Sequence, residues 1–393
     1  MSLSRQAEQE AFAGSLHSLM SAADVTAAAR RWADQDHSAG LALWLRLAGT
    51  GATALAVPEK HGGLGASLAD VMIACEEAGH HALPGPVAES LAAVPVLLSG
   101  LAAEPSAAAW LPLLAAGDLI ATLALPPQRP YAADAGPAGL TVLVQDDTAW
   151  LAAPGTSHRS VDPARRLWEV DGRELLAHGP AVTAAAGRAA EAGTLACAAQ
   201  LLGAGRALLE LSVQHARQRA QFGRPIGSFQ AVKHRLADVA IALEFARPLV
   251  AEAAAALSGN RATAARDTSA AKVAATDAAR LAARAALQVH GAIGYTQELD
   301  LHLWLTKVQA LASAWGSQSA HRARVLAALT GATADEQTLP GNHAGPANHT
   351  TGDVCVRTHT SAAGTPEARE PAGRVGGGAD AHQTGADGIG AGQ

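Results

Sequence analysis

The sequence is poor in cysteine and in aromatic residues, and it carries no excess of basic charge. Its three cysteines, Cys75, Cys197 and Cys355, lie far apart, so they predict neither a disulfide framework nor a zinc site. Aromatic residues make up 3% of the 393 positions. Lysine and arginine total 29 against 35 aspartates and glutamates, a net charge of −6. That balance, without a basic stripe, argues against nucleic acid as the main partner.

Long hydrophobic runs are also missing. No stretch approaches the roughly 20 consecutive apolar residues of a membrane-spanning helix. The first residues, MSLSRQAEQEAFAG, lack the apolar segment of a signal peptide. Together with the scattered cysteines, which suit a reducing compartment, these absences predict a cytoplasmic protein without a membrane span.

The hydrophobic fraction is nevertheless 49%, and alanine, a strong helix former, supplies much of it. Residues 1–118 carry apolar residues at spacings near three and four, so we expect an α-helical N-terminal domain. Ser67 is expected to cap the helix that follows a glycine-rich turn. Residues 119–180 contain strand-like stretches such as LIATLAL and GLTVLVQ, which predict a small β domain.

Helical periodicity returns over residues 181–332. The four long segments are 182–218, 228–257, 262–290 and 299–329. Short breaks separate them, which is typical of an antiparallel four-helix bundle. Gly203 and Gly205 lie inside the first segment, so we interpret them as small residues for close helix packing and not as a nucleotide-binding turn. The predicted fold is mainly α with a small central β domain.

The last segment, residues 333–393, is rich in Gly, Ala, Pro, Thr and His and has almost no large apolar side chains. Such a composition does not bury enough surface to offset the ordering entropy, so this tail is predicted to be disordered. Its histidines include His343, His349, His359 and His382. They lack ligand spacing, and the sequence predicts no metal site.

Three stretches resemble the acyl-CoA dehydrogenase family. They are RQRAQFGRPIGSFQAVKHRLADVA (217–240), LQVHGAIGYTQELDLHLW (287–304) and VPEKHGGLGASLADVMIACEEAG (57–79). Their order and spacing match the family over roughly residues 5–330. The resemblance implies an N-terminal α-helical domain, a β-barrel-like middle domain and a C-terminal four-helix bundle. It also implies FAD as cofactor and an acyl-CoA thioester as substrate.

The first of these stretches contains a candidate cofactor site. From the residues alone, a helix hairpin with Arg219 capping carbonyls is favoured, although a guanidinium beside free backbone N–H groups also suits a pyrophosphate. The resemblance implies that Arg219, Gln221, Phe222 and Gln230 hold the adenosine and diphosphate part of a neighbouring subunit's FAD. It further assigns Gln288, Gly291, Ala292 and Ser317 to cofactor binding, with Ala292 where the family usually has glycine.

The catalytic base of the family is missing from its expected positions. Where the usual glutamate would precede a Gly-Ser pair, this chain has Trp315, whose indole only donates hydrogen bonds. Some branches carry the glutamate on the first bundle helix, and that position is Gly193 here. Glu191 is a weaker candidate, because two residues along a helix correspond to a rotation of roughly 200°. We expect Glu191 to be a solvated helix-end carboxylate.

The flavin-ring side also departs from the family. The usual Thr-Glu-Pro stretch is matched by Ala124-Leu125-Pro126, which leaves the backbone as the expected flavin contact. Glu298 and Asp300 resemble a catalytic pair but precede a helix, where carboxylates favour capping.

The expected function is therefore FAD-dependent α,β-dehydrogenation of an acyl-CoA in fatty acid or steroid metabolism. This chain is expected to be the base-deficient subunit of a homo- or hetero-tetramer, with electron-transfer flavoprotein or a similar acceptor. The alternatives are a self-sufficient homotetramer using Glu191, a flavin-free regulatory subunit, or another flavin reaction on the same fold.

Overall fold

The N-terminal part is helical, as the spacing of its apolar residues predicts. The computed structural model describes residues 3–296 and 298–331. The helices before the sheet are α1 (Leu3–Ser21), α2 (Val25–Ala33), α3 (Ser38–Ala48), α4 (Leu68–His80), α5 (Val94–Gly100), α6 (Pro105–Ala108) and α7 (Leu111–Ala116). A π-helical turn, Glu89–Ala93, runs directly into α5.

The start of α4 confirms the predicted cap. Ser67 is the N-cap residue and forms a capping box with Asp70 of the first turn. The Ser67 backbone N–H donates to Asp70 Oδ2 over 3.2 Å. Just upstream, a Cβ at Gly63 would lie 2.0 Å from the Val57 carbonyl oxygen. The glycines there form a tight turn packed against their own chain.

A small mixed sheet follows. Its strands are β1 (Ala121–Ala124), β2 (Ala132–Ala133), β3 (Leu140–Gln145), β4 (Thr148–Arg159) and β5 (Arg166–His178). The strand order is β1-β3-β4-β5-β2, with β1 parallel to β3 and the other pairs antiparallel. Asp146 turns the β3–β4 hairpin with a left-handed φ of 56°. The sheet lies in the chain between the two helical parts.

The C-terminal part consists of long helices and one short hairpin. The elements are α8 (Pro180–Gln218), β6 (Ala220–Gln221), β7 (Arg224–Pro225), α9 (Gln230–Ser258), α10 (Ala264–His290), α11 (Leu301–Ser313) and α12 (Gln318–Thr330). The predicted single helix over 299–329 is wrong. Trp315 and Gly316 have φ values of 60° and 111°, which end α11. Ser317 then caps α12, accepting a hydrogen bond from the Ala320 N–H over 3.2 Å.

Glycines allow α8 to pack closely against α4. A Cβ at Gly203 would lie 1.8 Å from the Glu76 carbonyl oxygen, and one at Gly79 would lie 2.2 Å from that of Gln200. The two backbones are therefore in direct contact, which confirms that Gly203 serves packing. Cys75 and Cys197 are buried free thiols in this core.

One described helix, α8, is long and apolar enough by length and composition to cross a membrane. In the fold, 89% of its most apolar window is buried, as in the core helix of a globular protein. Three predictions concern residues outside the described part of the chain: the disordered tail at 333–393, the state of Cys355, and the absence of a metal role for the tail histidines.

Candidate active site

A cavity of about 510 Å³ lies where the sheet meets the π-helical turn and the break between α11 and α12. Its charged, aromatic and hydroxyl-bearing lining residues include Glu89, Arg129, Arg159, Arg165, Trp315 and Ser317. The neighbouring loop before β5 is tied to α11 by a buried ion pair, with Lys307 Nζ 3.5 Å from Asp162 Oδ2. The sheet and the bundle therefore hold the opposite walls of this cavity in place.

Trp315 is fixed in the cavity wall through its backbone. Its side chain and backbone are 6% exposed. Its carbonyl accepts hydrogen bonds from Arg129 Nη2 (3.3 Å) and His321 Nε2 (3.0 Å). Thr194 Oγ1 lies 3.4 Å from the same oxygen, but its proton is donated to the Ala190 carbonyl over 2.7 Å. The Arg129 guanidinium also lies 4.9 Å from the centre of the Trp315 ring system. These contacts stabilise a left-handed conformation that a bulky residue rarely adopts.

His321 supports this arrangement as a neutral imidazole. Because its Nε2 donates to the Trp315 carbonyl, its Nδ1 accepts from Ser269 Oγ, 3.1 Å away. Burial is the largest influence and lowers the pKa of His321 to about 4. The ring is therefore uncharged at neutral pH.

The two positions to which the resemblance assigns the base, 193 and 315, meet in one place. A Cβ added to Gly193 would lie 2.2, 2.3 and 2.6 Å from three carbon atoms of the Trp315 indole. The indole therefore occupies the space that any side chain at position 193 needs. Position 315 itself carries no proton acceptor. The indole at position 315 therefore leaves no room for a side chain at position 193.

Glu191 differs from the expectation of a solvated carboxylate. Its side chain is 18% exposed, and Oε1 accepts a hydrogen bond from Arg324 Nη2 of α12 over 2.5 Å. Burial raises the pKa of Glu191, and the charge of Arg324 opposes that shift. Glu191 is not among the described residues that line the cavity. The carboxylate is held in an ion pair between α8 and α12.

Glu89 is a cavity carboxylate that the sequence analysis missed. It starts the π-helical turn, is 6% exposed, and lines the cavity beside Trp315. Burial raises the pKa of Glu89, while the charge of Arg165, a backbone hydrogen bond and a hydrogen bond from the Trp315 indole oppose the rise. A lone acid in the apolar stretch PVAESLAAVPVLL is the signal that identifies it.

The segment that replaces Thr-Glu-Pro is engaged within the chain. The Leu125 N–H donates to the Arg129 carbonyl over 2.8 Å, and the Leu125 carbonyl accepts from the Arg129 N–H over 2.9 Å. Ala124 is completely buried. The expectation that the backbone of Ala124-Leu125-Pro126 contacts a flavin stays a prediction; at Leu125 both backbone polar groups already have a partner within the chain.

The predicted adenosine-side residues lie at an exposed end of the bundle. Arg219 is the C-cap of α8, Gln221 lies in β6, and Gln230 is the first residue of α9. Phe222, at the hairpin tip, has a φ of 53° and is 91% exposed. Its ring has an edge-to-face neighbour in Phe229, with the centroids 6.2 Å apart, and is otherwise open to solvent, so the hairpin suits contact with another molecule.

Gln288 joins this region through a groove between α9 and α10. The groove has a volume of about 560 Å³, and its polar lining residues are His234, Arg235, Asp238, Arg284 and Gln288. At the adjacent helix ends, the rings of His215 and His290 lie 4.3 Å apart, which places Arg219 near Gly291. Gly291 and Ala292 are exposed there. Ser317 is the exception, since it lines the cavity beside Trp315.

The groove has the charge that a diphosphate requires. It is lined by the guanidinium groups of Arg235 and Arg284 and by one carboxylate, Asp238. Arg219, at the end of α8, is exposed, and it has no ion pair among residues 3–296 and 298–331. Planar guanidinium groups suit phosphate recognition. The residues of this end therefore fit the adenosine and diphosphate part of FAD.

Comparison with known proteins identifies the family. Residues 6–118 match the family model for the acyl-CoA dehydrogenase N-terminal domain, and residues 183–330 match that for the C-terminal domain. The chain belongs to the acyl-CoA dehydrogenase family. The resemblance in the sequence is confirmed, and the family places the chain in the oxidoreductase class. The β region, between the two matches, belongs to neither.

Several acyl-CoA dehydrogenases are similar to this chain. Acyl-CoA dehydrogenase IpdE2 of Mycobacterium tuberculosis is 36% identical over 259 residues, which cover 65% of this chain and 76% of that protein. The ChsE4–ChsE5 complex of Mycobacterium tuberculosis contains a chain with a TM-score of 0.71 at 22% identity, covering 82% of this chain and 97% of that one. Butyryl-CoA dehydrogenase of Megasphaera elsdenii has a TM-score of 0.70 at 21% identity. The match covers 82% of this chain and 98% of that one. The two structures establish the acyl-CoA dehydrogenase fold.

Proposed function

We propose that this chain is the base-deficient subunit of an FAD-dependent acyl-CoA dehydrogenase built from two related chains. The observation that carries the proposal is the contact between Trp315 and Gly193. α,β-Dehydrogenation of an acyl-CoA requires a base to remove the α-proton. Here the indole of Trp315 replaces one base position and fills the space of the other. The base therefore comes from the related chain.

The exposed end of the bundle supplies what the related chain needs. Arg219, Gln221, Gln230 and Gln288 hold the adenosine and diphosphate of an FAD whose flavin ring belongs to the partner. When bound, FAD accepts the hydride from the β-carbon, and the protein provides position and charge. The exposed end of the bundle thus fits the adenosine and diphosphate of the cofactor. The flavin-ring side of this chain fits less well, because the Leu125 backbone is paired with Arg129 and the Trp315 side chain occupies the cavity wall.

The relatives support a two-chain assembly. ChsE4–ChsE5 was solved as a complex of two chains, and another protein with this fold is the Tcur3481–Tcur3483 steroid acyl-CoA dehydrogenase, with a TM-score of 0.71. By analogy we assign this chain to a tetramer with a related chain, acting on a fatty or steroid acyl-CoA. Electron-transfer flavoprotein or a similar protein is the acceptor.

A second candidate function follows from Glu89. This buried carboxylate lines the same cavity, beside the indole of Trp315, and its pKa is raised by burial. Such a group has the properties of a general base. In that case the chain acts alone as an acyl-CoA dehydrogenase, with Glu89 in place of the missing glutamate.

Flavin content and activity test the first proposal. The chain is purified alone and together with a related acyl-CoA dehydrogenase chain, and FAD per chain and activity with an artificial acceptor are measured. We expect no activity from the isolated chain and activity from the pair. Arg219→Ala should release FAD from the pair, and Arg217→Ala, two residues earlier, should not. Equal flavin content in both variants would favour a flavin-free supporting subunit.

Glu89→Gln separates the two candidates. If the partner supplies the base, this variant leaves the activity of the pair within a few-fold of the wild type. If Glu89 is the base, the wild-type chain is active alone and Glu89→Gln lowers its rate by about 10²–10⁴-fold, the usual contribution of a general base. Circular dichroism checks that the variant is folded.

A further inference from the structure

A cluster of metal-ligating side chains joins α1 to the end of α4, away from the cavity. His17 lies on α1, Glu77 on the last turn of α4, and His81 is the C-cap of that helix. His17 Nδ1 lies 3.2 Å from Glu77 Oε2 and 3.2 Å from His81 Nε2. The distance from His81 Nε2 to Glu77 Oε2 is 3.9 Å. Three potential donor atoms thus converge on one point.

These separations are close to those around a tetrahedral metal ion. Zinc binds imidazole nitrogen and carboxylate oxygen at about 2.0–2.2 Å, which places neighbouring tetrahedral ligands roughly 3.3 Å apart. Two of the three separations, at 3.2 Å, agree with this value within 0.2 Å, and the third is wider by about half an ångström. Closing the third separation requires a shift of only about half an ångström in one of the two side chains.

Hydrogen bonding alone satisfies the cluster poorly. The carboxylate oxygen only accepts, and a neutral imidazole nitrogen carries at most one proton. One proton on His17 Nδ1 must therefore serve both Glu77 Oε2 and His81 Nε2. If His81 Nε2 carries the proton instead, two lone pairs face each other between His17 and Glu77. A central cation accepts a lone pair from all three atoms.

Surrounding residues orient the ligands. Arg206 Nη2 donates to Glu77 Oε1 over 2.5 Å, which leaves Oε2 to face the histidines. Second contacts of this kind fix the ligands of metal sites. Arg206 Nε also donates to His80 Nδ1 over 3.1 Å, and His80 Nε2 faces Glu210 at 3.5 Å. His80 thus borders the cluster and is already engaged on both nitrogens.

We propose that His17 Nδ1, His81 Nε2 and Glu77 Oε2 bind one divalent transition-metal ion, with Zn²⁺ the best fit, and that this ion fastens α1 to α4. Nitrogen and carboxylate ligands suit zinc. Water takes the fourth position, since the His17 side chain is 47% exposed.

Binding of Co²⁺ to the full-length chain tests the site, because tetrahedral Co²⁺ absorbs visible light far more strongly than octahedral Co²⁺ adsorbed on a surface. We expect the wild type to bind one Co²⁺ per chain with a tetrahedral spectrum that one equivalent of Zn²⁺ abolishes. His17→Ala should lose this spectrum. The matched control is His158→Ala, since His158 is also partly exposed and contacts one carboxylate, Glu169, at 2.9 Å.

Two results would overturn the proposal. One is a wild-type chain without a tetrahedral Co²⁺ spectrum, and the other is an equal spectrum in the wild type and in His17→Ala. Histidines near the C-terminus are the same in every variant, so they do not affect the difference. As an independent readout, Zn²⁺ should raise the melting temperature of the wild type and of His158→Ala but not that of His17→Ala. His81→Gln serves as the second ligand variant.

Discussion

The contact between Gly193 and Trp315 predicts a large energetic coupling between the two positions. Gly193→Ala introduces a methyl group 2.2 Å from the nearest indole carbon, a distance that no relaxed structure maintains. The Trp315 backbone is held by hydrogen bonds from Arg129 and His321 to its carbonyl, and the Arg129 guanidinium lies 4.9 Å from the centre of the ring system, so the indole has little freedom to move aside. We therefore expect Gly193→Ala to lower the free energy of unfolding by about 3 kcal/mol, the upper part of the range for overpacked cores.

The effect should change sign when the indole is removed. Trp315→Ala alone costs about 3–5 kcal/mol, as expected for a buried aromatic residue. In that background the methyl group of Gly193→Ala has space, and alanine stabilises a helix by about 0.5–1 kcal/mol relative to glycine. The double variant should therefore be slightly more stable than Trp315→Ala. The resulting coupling energy is roughly 3–4 kcal/mol, well above the value for independent sites.

Urea denaturation, monitored by far-UV circular dichroism at one protein concentration, measures the free energy of unfolding of the wild type, the two single variants and the double variant. Gly187→Ala is the matched control on the same helix, because nothing lies within 4 Å of the added methyl group. It should be neutral or stabilising by up to about 1 kcal/mol. If Gly193→Ala costs the same with and without the indole, Trp315 does not occupy the space above Gly193, and the argument for a closed base position fails.

Three further predictions concern the surroundings of the site. The pKa of His321 falls from 6.5 to about 4 on folding, so as the pH is lowered the unfolded state takes up its proton before the folded state does. The free energy of unfolding should therefore drop by on the order of 3 kcal/mol between pH 6.5 and 4. Urea curves of His321→Gln should show a shallower pH dependence, and an unchanged slope would contradict the assignment. Glu191→Gln should leave the rate of the two-chain enzyme within about twofold, since Arg324 holds that carboxylate; a loss of 10²-fold or more would identify Glu191 as the base. Gly203→Ala should destabilise by about 3 kcal/mol in thermal or urea unfolding, because its methyl group meets the Glu76 carbonyl; a neutral effect would show that α4 and α8 are not in backbone contact.

Local signals in the sequence predicted the fold well. The apolar spacing gave the helices, Ser67 marked the start of α4, and the predicted end of the first bundle segment at residue 218 matches the end of α8. The break inside the fourth predicted helix was missed. The apolar pattern continues through Ala314 and Trp315, and a tryptophan gives no sign of a left-handed backbone. That conformation depends on donors from other elements, which periodicity does not reveal.

The site was predictable only where one residue carries the information. Trp315 lacks a proton acceptor in any structure, so the expectation that position 315 supplies no base followed from the sequence alone. The ion pair of Glu191 did not, because Arg324 lies on another helix. Likewise, His17 is 60 residues from Glu77 and 64 from His81, and no spacing rule connects them. Contacts of this kind arise from packing and become visible only in three dimensions.

The packing of Trp315 on Gly193 also limits how this chain can regain a base of its own. A glutamate at position 193 is sterically excluded while the indole is present, so the first substitution must remove the tryptophan. That intermediate contains a cavity and loses about 3–5 kcal/mol, a large part of the 5–15 kcal/mol that a typical domain has. Unless the residue that replaces Trp315 is itself a glutamate, this intermediate also gains no base, because position 193 is still glycine. By this route, the dependence on a related chain that we propose is difficult to reverse in single viable steps.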